Sequence, residues 1–307
     1  MLVGLAHPNA STHSFADWSR IPADVDISFF DDHCATESDL VERLLPFEIV
    51  GIMRERTAFP RHVLSRLPNL RLIVSTGRRN PAIDLESADE LGVSVRFTAA
   101  PGHATAELTM ALILSLARNL TAEAASLGSG GWQVGVGRDL KGATVGLVGL
   151  GRLGSHVASL ARAFGMEVGA WSENLTDERC AEVGITKLTR KELFRDADFV
   201  SIHLRLSERT VGLAGDMELE MMRLSSYLIN TSRAAIVNED ALVRALTNGT
   251  IAGAAIDVYE HEPLASDHRL RTTPGLLATP HIGYVTRETY QIFYGDMVEA
   301  IVGYLQD

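Results

Sequence analysis

The stretch Gly146-Leu-Val-Gly-Leu-Gly-Arg-Leu-Gly154 decides how this chain is read. Within it Gly149, Gly151 and Gly154 form the pattern G-x-G-x-x-G, preceded by the β-type run 144–148 and followed by a helical run to Phe164. The first glycine permits a tight turn, the second lets backbone approach a pyrophosphate, and the third lets helix and strand pack closely. The helix start then offers free N–H groups and a partial positive charge to phosphates. Glycine turns are common, so the strand before and the helix after carry the dinucleotide reading.

Such a unit presents an Asp or Glu about 20 residues on, at the end of its second strand, where it hydrogen-bonds the ribose hydroxyls of NAD. That strand ends here in Ala170-Trp171-Ser172-Glu173, so Ser172 stands at the expected place of the acid. Glu173 could repel a 2′-phosphate, and Arg152 and Arg205 could attract one. NAD and NADP both stay open, with the balance tipped to NAD.

Outward from the loop, β-type and helical runs alternate. Residues 2–6, 27–30, 48–53, 70–75 and 93–98 read as strands, with helices at 38–45, 60–67 and 85–91. A long apolar helix is expected over 104–120, then a flexible connection at 126–131 ending at Trp132. Strands follow at 144–148, 168–171, 198–202, 226–230, 253–258 and 276–279, with a capping box at Thr189-Arg-Lys-Glu192 and a helix end at Asn248-Gly249. Such alternation predicts parallel sheets covered by helices on both faces, in two α/β units.

The chain has 307 residues, enough for two ordinary domains. With 46% apolar and 22% charged residues it is globular, and a net charge of -11 argues against nucleic-acid binding. Cys34 and Cys180 share no metal-ligand spacing, so no metal and a reducing compartment, the cytoplasm, are expected. The N-terminus lacks the features of a signal peptide, and the most apolar stretch is too short to span a bilayer.

Several ordered blocks add to the glycine loop: Asp198-Phe-Val-Ser-Ile-His203, Ile229-Asn-Thr-Ser-Arg233, Ala255-Ile-Asp-Val-Tyr-Glu-His-Glu-Pro263 and Thr279-Pro-His-Ile-Gly283. Together they resemble the D-isomer-specific 2-hydroxyacid dehydrogenases over nearly the whole chain. The resemblance implies two doubly wound parallel-sheet domains: a Rossmann cofactor domain, residues 100–285, inserted into a flavodoxin-like substrate domain, residues 1–99 plus 286–307. It also implies a cleft, a closing hinge and a homodimer built around the 104–120 helix.

The same resemblance implies a catalytic set of Arg233, Glu262 and His281. Residue chemistry agrees. A forked, permanently charged guanidinium suits the carboxylate and carbonyl oxygens of a 2-keto acid. An imidazole can donate a proton to the forming alkoxide, and an adjacent carboxylate favours its charged form. Glu260 rivals Glu262, since both flank His261, but the family pattern places the acid immediately before the proline. Cofactor contacts are implied for Gly149, Gly151, Arg152, Leu153, Gly154, Ser172, His203, Leu204, Arg205, Thr210, Thr231, Ser232, Asp257 and Gly283. Arg205 departs from the proline common in the family.

For the substrate, Ser75-Thr-Gly-Arg-Arg-Asn80 occupies the place of a glycine-rich loop, with Arg78 and Arg79 departing from small residues. Thr76, Gly77 and Arg78 are expected to supply backbone N–H groups to a carboxylate, with Arg54 beside them. Arg54, Arg56, Arg78 and Arg79 raise the question of a second anionic group. The expected activity is hydride transfer between NAD(P)H and a small 2-keto acid such as glyoxylate or hydroxypyruvate. A non-enzymatic NADH sensor on the same fold is the alternative, and turnover separates the two. Formate or phosphonate as substrate is a third reading.

Overall fold

The structure, a computed structural model, describes residues 2–4, 12–30, 32, 34 and 36–306. The chain divides into two compact units, 1–101 with 285–307, and 102–284.

In the first unit the order is β1 (Leu2–Gly4), β2 (Ser28–Phe30), α1 (Glu37–Leu44), β3 (Ile49–Ile52), α2 (Arg61–Leu64), β4 (Leu72–Ser75), α3 (Leu85–Glu90) and β5 (Ser94–Phe97). Residues 5 and 6, the end of the expected first strand, lie outside the described residues. All pairings are parallel, in the order β2-β1-β3-β4-β5, the flavodoxin-like arrangement. Every residue of β3 and β4 is buried, as parallel strands covered on both faces require. The α1 helix starts at a reciprocal Thr36–Asp39 capping box and α3 at Asp84, whose carboxylate accepts from Ser87 N.

The second unit holds α4 (His103–Ala117), α5 (Leu120–Gly128), β6 (Thr144–Val148), α6 (Arg152–Ala163), β7 (Glu167–Trp171), α7 (Asp177–Val183), β8 (Thr186–Lys187), α8 (Arg190–Asp196), β9 (Phe199–Ile202), α9 (Asp216–Met221), β10 (Tyr227–Asn230), α10 (Glu239–Thr247), β11 (Gly253–Ile256) and β12 (Leu276–Ala278). The last helix, α11 (Arg287–Gln306), belongs to the first unit, where it buries Tyr290, Phe293, Tyr294 and Met297.

The seven-stranded sheet runs β12-β11-β10-β9-β6-β7-β8, all parallel. Strand order therefore reverses between β6 and β9, and ligands of open α/β sheets collect outside the carboxyl ends at such a point. Alternate residues of each strand serve different layers. Val145 and Leu147 pack with α4, α6 and α7, whereas Val148, Val200 and Ile202 pack with α8, α9 and α10.

Two local expectations are corrected. The helix expected over 104–120 stops at Ala117, because Asn119 adopts a left-handed conformation, φ 51°, that asparagine tolerates. A second helix then runs through Gly128, taking the start of the segment read as a flexible connection. Strand β8 was not legible in the sequence: it has two exposed residues and no periodicity. Among the described residues no helix is long and apolar enough to cross a membrane.

Candidate active site

The glycine loop joins β6 to α6, with Gly151 as N-cap. Gly149 sits at φ +108°, and a Cβ there would lie 2.9 Å from the His203 carbonyl oxygen. A Cβ on Gly154 would lie 2.3 Å from the Gly149 carbonyl oxygen. On Gly151 it would meet nothing within 4 Å. Gly149 and Gly154 are thus required by packing, while Gly151 leaves open space above the helix start. This cradle fits a dinucleotide pyrophosphate. Leu153 is partly buried in the first turn of α6.

Neighbouring strands deliver the other residues. After β9, the His203 backbone N–H donates to Val148 O at 2.8 Å, and its ring Nε2 lies 2.9 Å from Ser201 Oγ. Burial pushes the His203 imidazole down to about 4, so the ring is neutral at physiological pH. Leu204 packs against the core, Arg205 is exposed, and Thr210 Oγ1 donates to Arg205 O at 2.8 Å, closing that loop.

After β10 the turn is built by Asn230. Its amide donates to Arg233 O at 3.0 Å, and its carbonyl accepts from Ser232 N at 3.0 Å. Ser232 Oγ donates to Leu204 O, tying this turn to the one after β9. Thr231 Oγ1 lies 2.9 Å from Thr109 Oγ1 of α4. The Arg233 guanidinium donates to Ser232 O at 2.8 Å and is partly buried.

Beyond β11 and β12, the buried Asp257 clamps the turn that carries His281. Asp257 Oδ1 accepts from Thr279 Oγ1 at 2.6 Å and Ile282 N at 2.8 Å, and Oδ2 accepts from Gly283 N at 2.8 Å. Burial raises the Asp257 carboxyl above its usual range, opposed by these donors and by His281. Tyr259 braces the same turn, its hydroxyl donating to Thr279 O at 2.8 Å, and burial pushes that phenol up to about 12. His281 itself has φ +53°, a strained conformation for histidine that the surrounding bonds hold in place.

Glu262 Oε2 lies 2.6 Å from His281 Nδ1, while Glu262 Oε1 accepts from Tyr259 N at 3.1 Å. The pair is partly exposed, at 20% for the histidine and 27% for the glutamate. Glu260 and His261 instead line a cavity of about 400 Å³ with Glu239, Asp240, His268 and Arg269. The loop therefore turns one of its two glutamates towards His281 and the other away.

In the first unit, Arg54 has φ +48° and its guanidinium crosses Gly77, where a Cβ would lie 2.7 Å from Nη1. Thr76 is fully buried, its N–H donating to Ile52 O at 3.0 Å and its hydroxyl accepting from Arg54 N at 3.1 Å. Gly77 N donates to Thr98 Oγ1 at 2.8 Å. The expectation that Thr76 and Gly77 lend N–H groups to a carboxylate therefore meets donors already committed to the fold. Arg78 and Arg79 are exposed beyond them, and buried Asn80 pins the loop by donating to Arg54 O at 2.6 Å and Ser75 Oγ at 3.1 Å.

Tyr259, Thr279, Asn230 and Asn80 stand inside the sequence blocks quoted above, but their supporting roles were not read there. Each acts through one or two side-chain hydrogen bonds, local for Asn230 and long-range for Tyr259, Thr279 and Asn80, which no periodicity reports.

Comparison with known proteins follows the same lines. A family model described as the NAD-binding domain of D-isomer-specific 2-hydroxyacid dehydrogenase matches residues 110–283. A glyoxylate reductase of Aeropyrum pernix is 39% identical over 239 residues, covering 74% of this chain and 71% of that protein. A D-3-phosphoglycerate dehydrogenase of Bacillus subtilis is 36% identical over 82% of this chain, but the match spans only 48% of its own length. The crystal structure of a phosphoglycerate oxidoreductase from Vibrio cholerae aligns with TM-score 0.93 and 33% identity, over 99% of this chain and 98% of that one.

Proposed function

Because the chain belongs to the D-isomer-specific 2-hydroxyacid dehydrogenase family, and is thereby a dehydrogenase that uses NAD(H) or NADP(H), we propose that it interconverts a small 2-keto acid and its D-2-hydroxy acid, with Arg233, Glu262 and His281 as the catalytic set. The observation that carries this reading is the 2.6 Å contact between Glu262 Oε2 and His281 Nδ1. With Nδ1 engaged, the other ring nitrogen, Nε2, is the one that meets substrate.

A bound nicotinamide supplies the hydride to the carbonyl carbon. The Arg233 guanidinium holds the carboxylate and polarises the carbonyl oxygen. His281 Nε2 gives its proton to that oxygen as negative charge builds there, and takes it back in the reverse direction. Glu262 stabilises the protonated ring and fixes its orientation. One hydride and one proton convert the keto acid to the hydroxy acid. Gly149, Gly151 and Gly154 seat the pyrophosphate, with Thr231, Ser232, His203 and Leu204 towards the nicotinamide side. Arg54 and Arg78 are the proposed substrate-carboxylate contacts of the first unit.

Glyoxylate and hydroxypyruvate are the proposed substrates, supported by the likeness to glyoxylate reductases. The test is loss of absorbance at 340 nm with NADH or NADPH against a panel of 2-keto acids. Turnover that disappears in His281→Ala supports the reading. Dinucleotide binding with no turnover of any acid would move it to the sensor.

We further propose a homodimer in the cytoplasm. The apolar side chains of Leu127, Trp132, Val134 and Val136 are exposed within ten residues of one another in sequence, Val136 at 98%, which supports a partner surface on this stretch. A monomeric mass by light scattering at micromolar concentration would count against it.

A further inference from the structure

The residues around the carboxyl end of β7 bear on which dinucleotide the chain takes. In a Rossmann unit an acid at this point hydrogen-bonds the ribose hydroxyls of NAD, whereas a nearby arginine accommodates the 2′-phosphate of NADP. Ser172 stands at that point and carries no charge to repel a phosphate. Val168 and Ala170 of β7 face the layer of α6 and α7, while Trp171 packs on the opposite side. Ser172 directly follows β7 and is half-buried, its carbonyl accepting from Leu175 N at 3.0 Å, while the acidic Glu173 is exposed in the turn that this bond closes.

Arg179 belongs to α7, in the layer that Val168 and Ala170 face. It is in the first turn of α7, where its backbone N–H donates to Thr176 Oγ1 at 3.2 Å. Its Nη2 donates to Ser155 Oγ at 2.8 Å, and Ser155 Oγ in turn donates to Gly151 O at 2.9 Å. The guanidinium is thereby tethered to the opening turn of α6, beside the glycine loop. Its Nη1 pairs with Glu182 at 2.9 Å, and 40% of the side chain is exposed. A guanidinium has five N–H donors in a planar fork, so these two bonds leave others for a phosphate.

The two arginines that the sequence singles out lie elsewhere. The Arg152 guanidinium lies against Gly102 at the start of α4, and a Cβ on Gly102 would fall 2.8 Å from its Nη1. Arg205 follows β9, which flanks β6 on the side opposite β7, about 10 Å away at the usual strand spacing.

We propose that this chain selects NADP(H), and that Arg179 is the specificity-determining residue, binding the 2′-phosphate beside Ser172. This rests on the dinucleotide lying along the glycine loop.

The experiment is equilibrium binding, by tryptophan fluorescence and calorimetry, of NADPH, NADH, 2′,5′-ADP and 5′-AMP to the full chain and three variants. Wild type is expected to bind NADPH at least about tenfold more tightly than NADH, and 2′,5′-ADP more tightly than 5′-AMP, as charge-assisted hydrogen bonds supply. Arg179→Gln should erase both preferences while changing NADH affinity little, and Arg179→Lys should restore part of them. Ser172→Asp should weaken NADPH and 2′,5′-ADP, which keeps the test alive if the Arg179 variants fold poorly. A wild-type preference for NADH, or equal weakening of NADPH and NADH in Arg179→Gln, would overturn the assignment. Failure of wild type to bind any of the four probes would instead overturn the dinucleotide site itself, and this proposal with it.

Discussion

Glu262 and His281 are 19 residues apart and on separate loops, yet their side chains meet at 2.6 Å because two braces that share Tyr259 converge on them. Asp257 and Tyr259 hold the histidine's turn, and the Tyr259 backbone N–H orients the glutamate. A proton-transfer group needs this fixed geometry before its acidity matters.

His281→Ala should lower kcat by roughly 10²–10⁴ while leaving dinucleotide affinity nearly unchanged. Glu262→Gln keeps a hydrogen-bonding group but removes the charge, and a smaller loss is expected. Steady-state kinetics with parallel dinucleotide titrations check both. Near-normal turnover in His281→Ala would remove it from the mechanism.

Arg233→Ala should raise KM and lower kcat together, with kcat/KM falling by roughly 10²-fold, since a charge-assisted hydrogen bond contributes about 1.5–3 kcal/mol. Arg233→Lys should recover little, because an ammonium lacks the planar fork. Recovery to wild-type kcat/KM by lysine would show that charge alone is needed.

Gly154 and Gly151 of the glycine loop should fail in different ways. Gly154→Ala places a Cβ 2.3 Å from a carbonyl oxygen, and overpacking of this kind costs about 1–3 kcal/mol. In a unit of this size each kcal/mol lowers Tm by about 2–4 °C. Gly151→Ala meets no neighbour within 4 Å, so Tm should hold while dinucleotide affinity falls. Thermal unfolding alongside binding separates the two, and an unchanged affinity in Gly151→Ala would contradict the pyrophosphate seat.

His203 should make the fold sensitive to acid. Its folded pKa, about 4, lies below the ordinary 6.5, so between those values the unfolded chain binds the extra proton. The contribution is fully present above pH 6.5, declines as pH falls, and is exhausted near pH 4, amounting to about 3 kcal/mol. Denaturant unfolding at pH 7 and pH 4.5 should show a smaller loss for His203→Gln than for wild type. Equal losses would mean the ring is solvated in the folded state.

Much of this protein was legible in the chain itself. The alternation of buried apolar runs with capped helices gave two parallel α/β units, because a strand covered on both faces must be apolar throughout and a helix must satisfy its ends locally. The G-x-G-x-x-G loop and the ordered blocks marked the carboxyl ends of β6, β9, β10, β11 and β12 as the place where function collects. Such signals are local: each is written in a few consecutive residues.

What only the tertiary structure decided involves residues distant in sequence. Which of Glu260 and Glu262 turns to His281 depends on the path of one loop. The burial of the Thr76 and Gly77 donors depends on Ile52 and Thr98, and the place of Arg179 on its bond to Ser155. The break at Asn119 went unread because helix propensity differs by only a few tenths of a kcal/mol among such residues, while tertiary packing sets where the helix stops. Side-chain direction and long-range hydrogen bonds leave no periodic trace, so they become visible only when the strands bring their loops together.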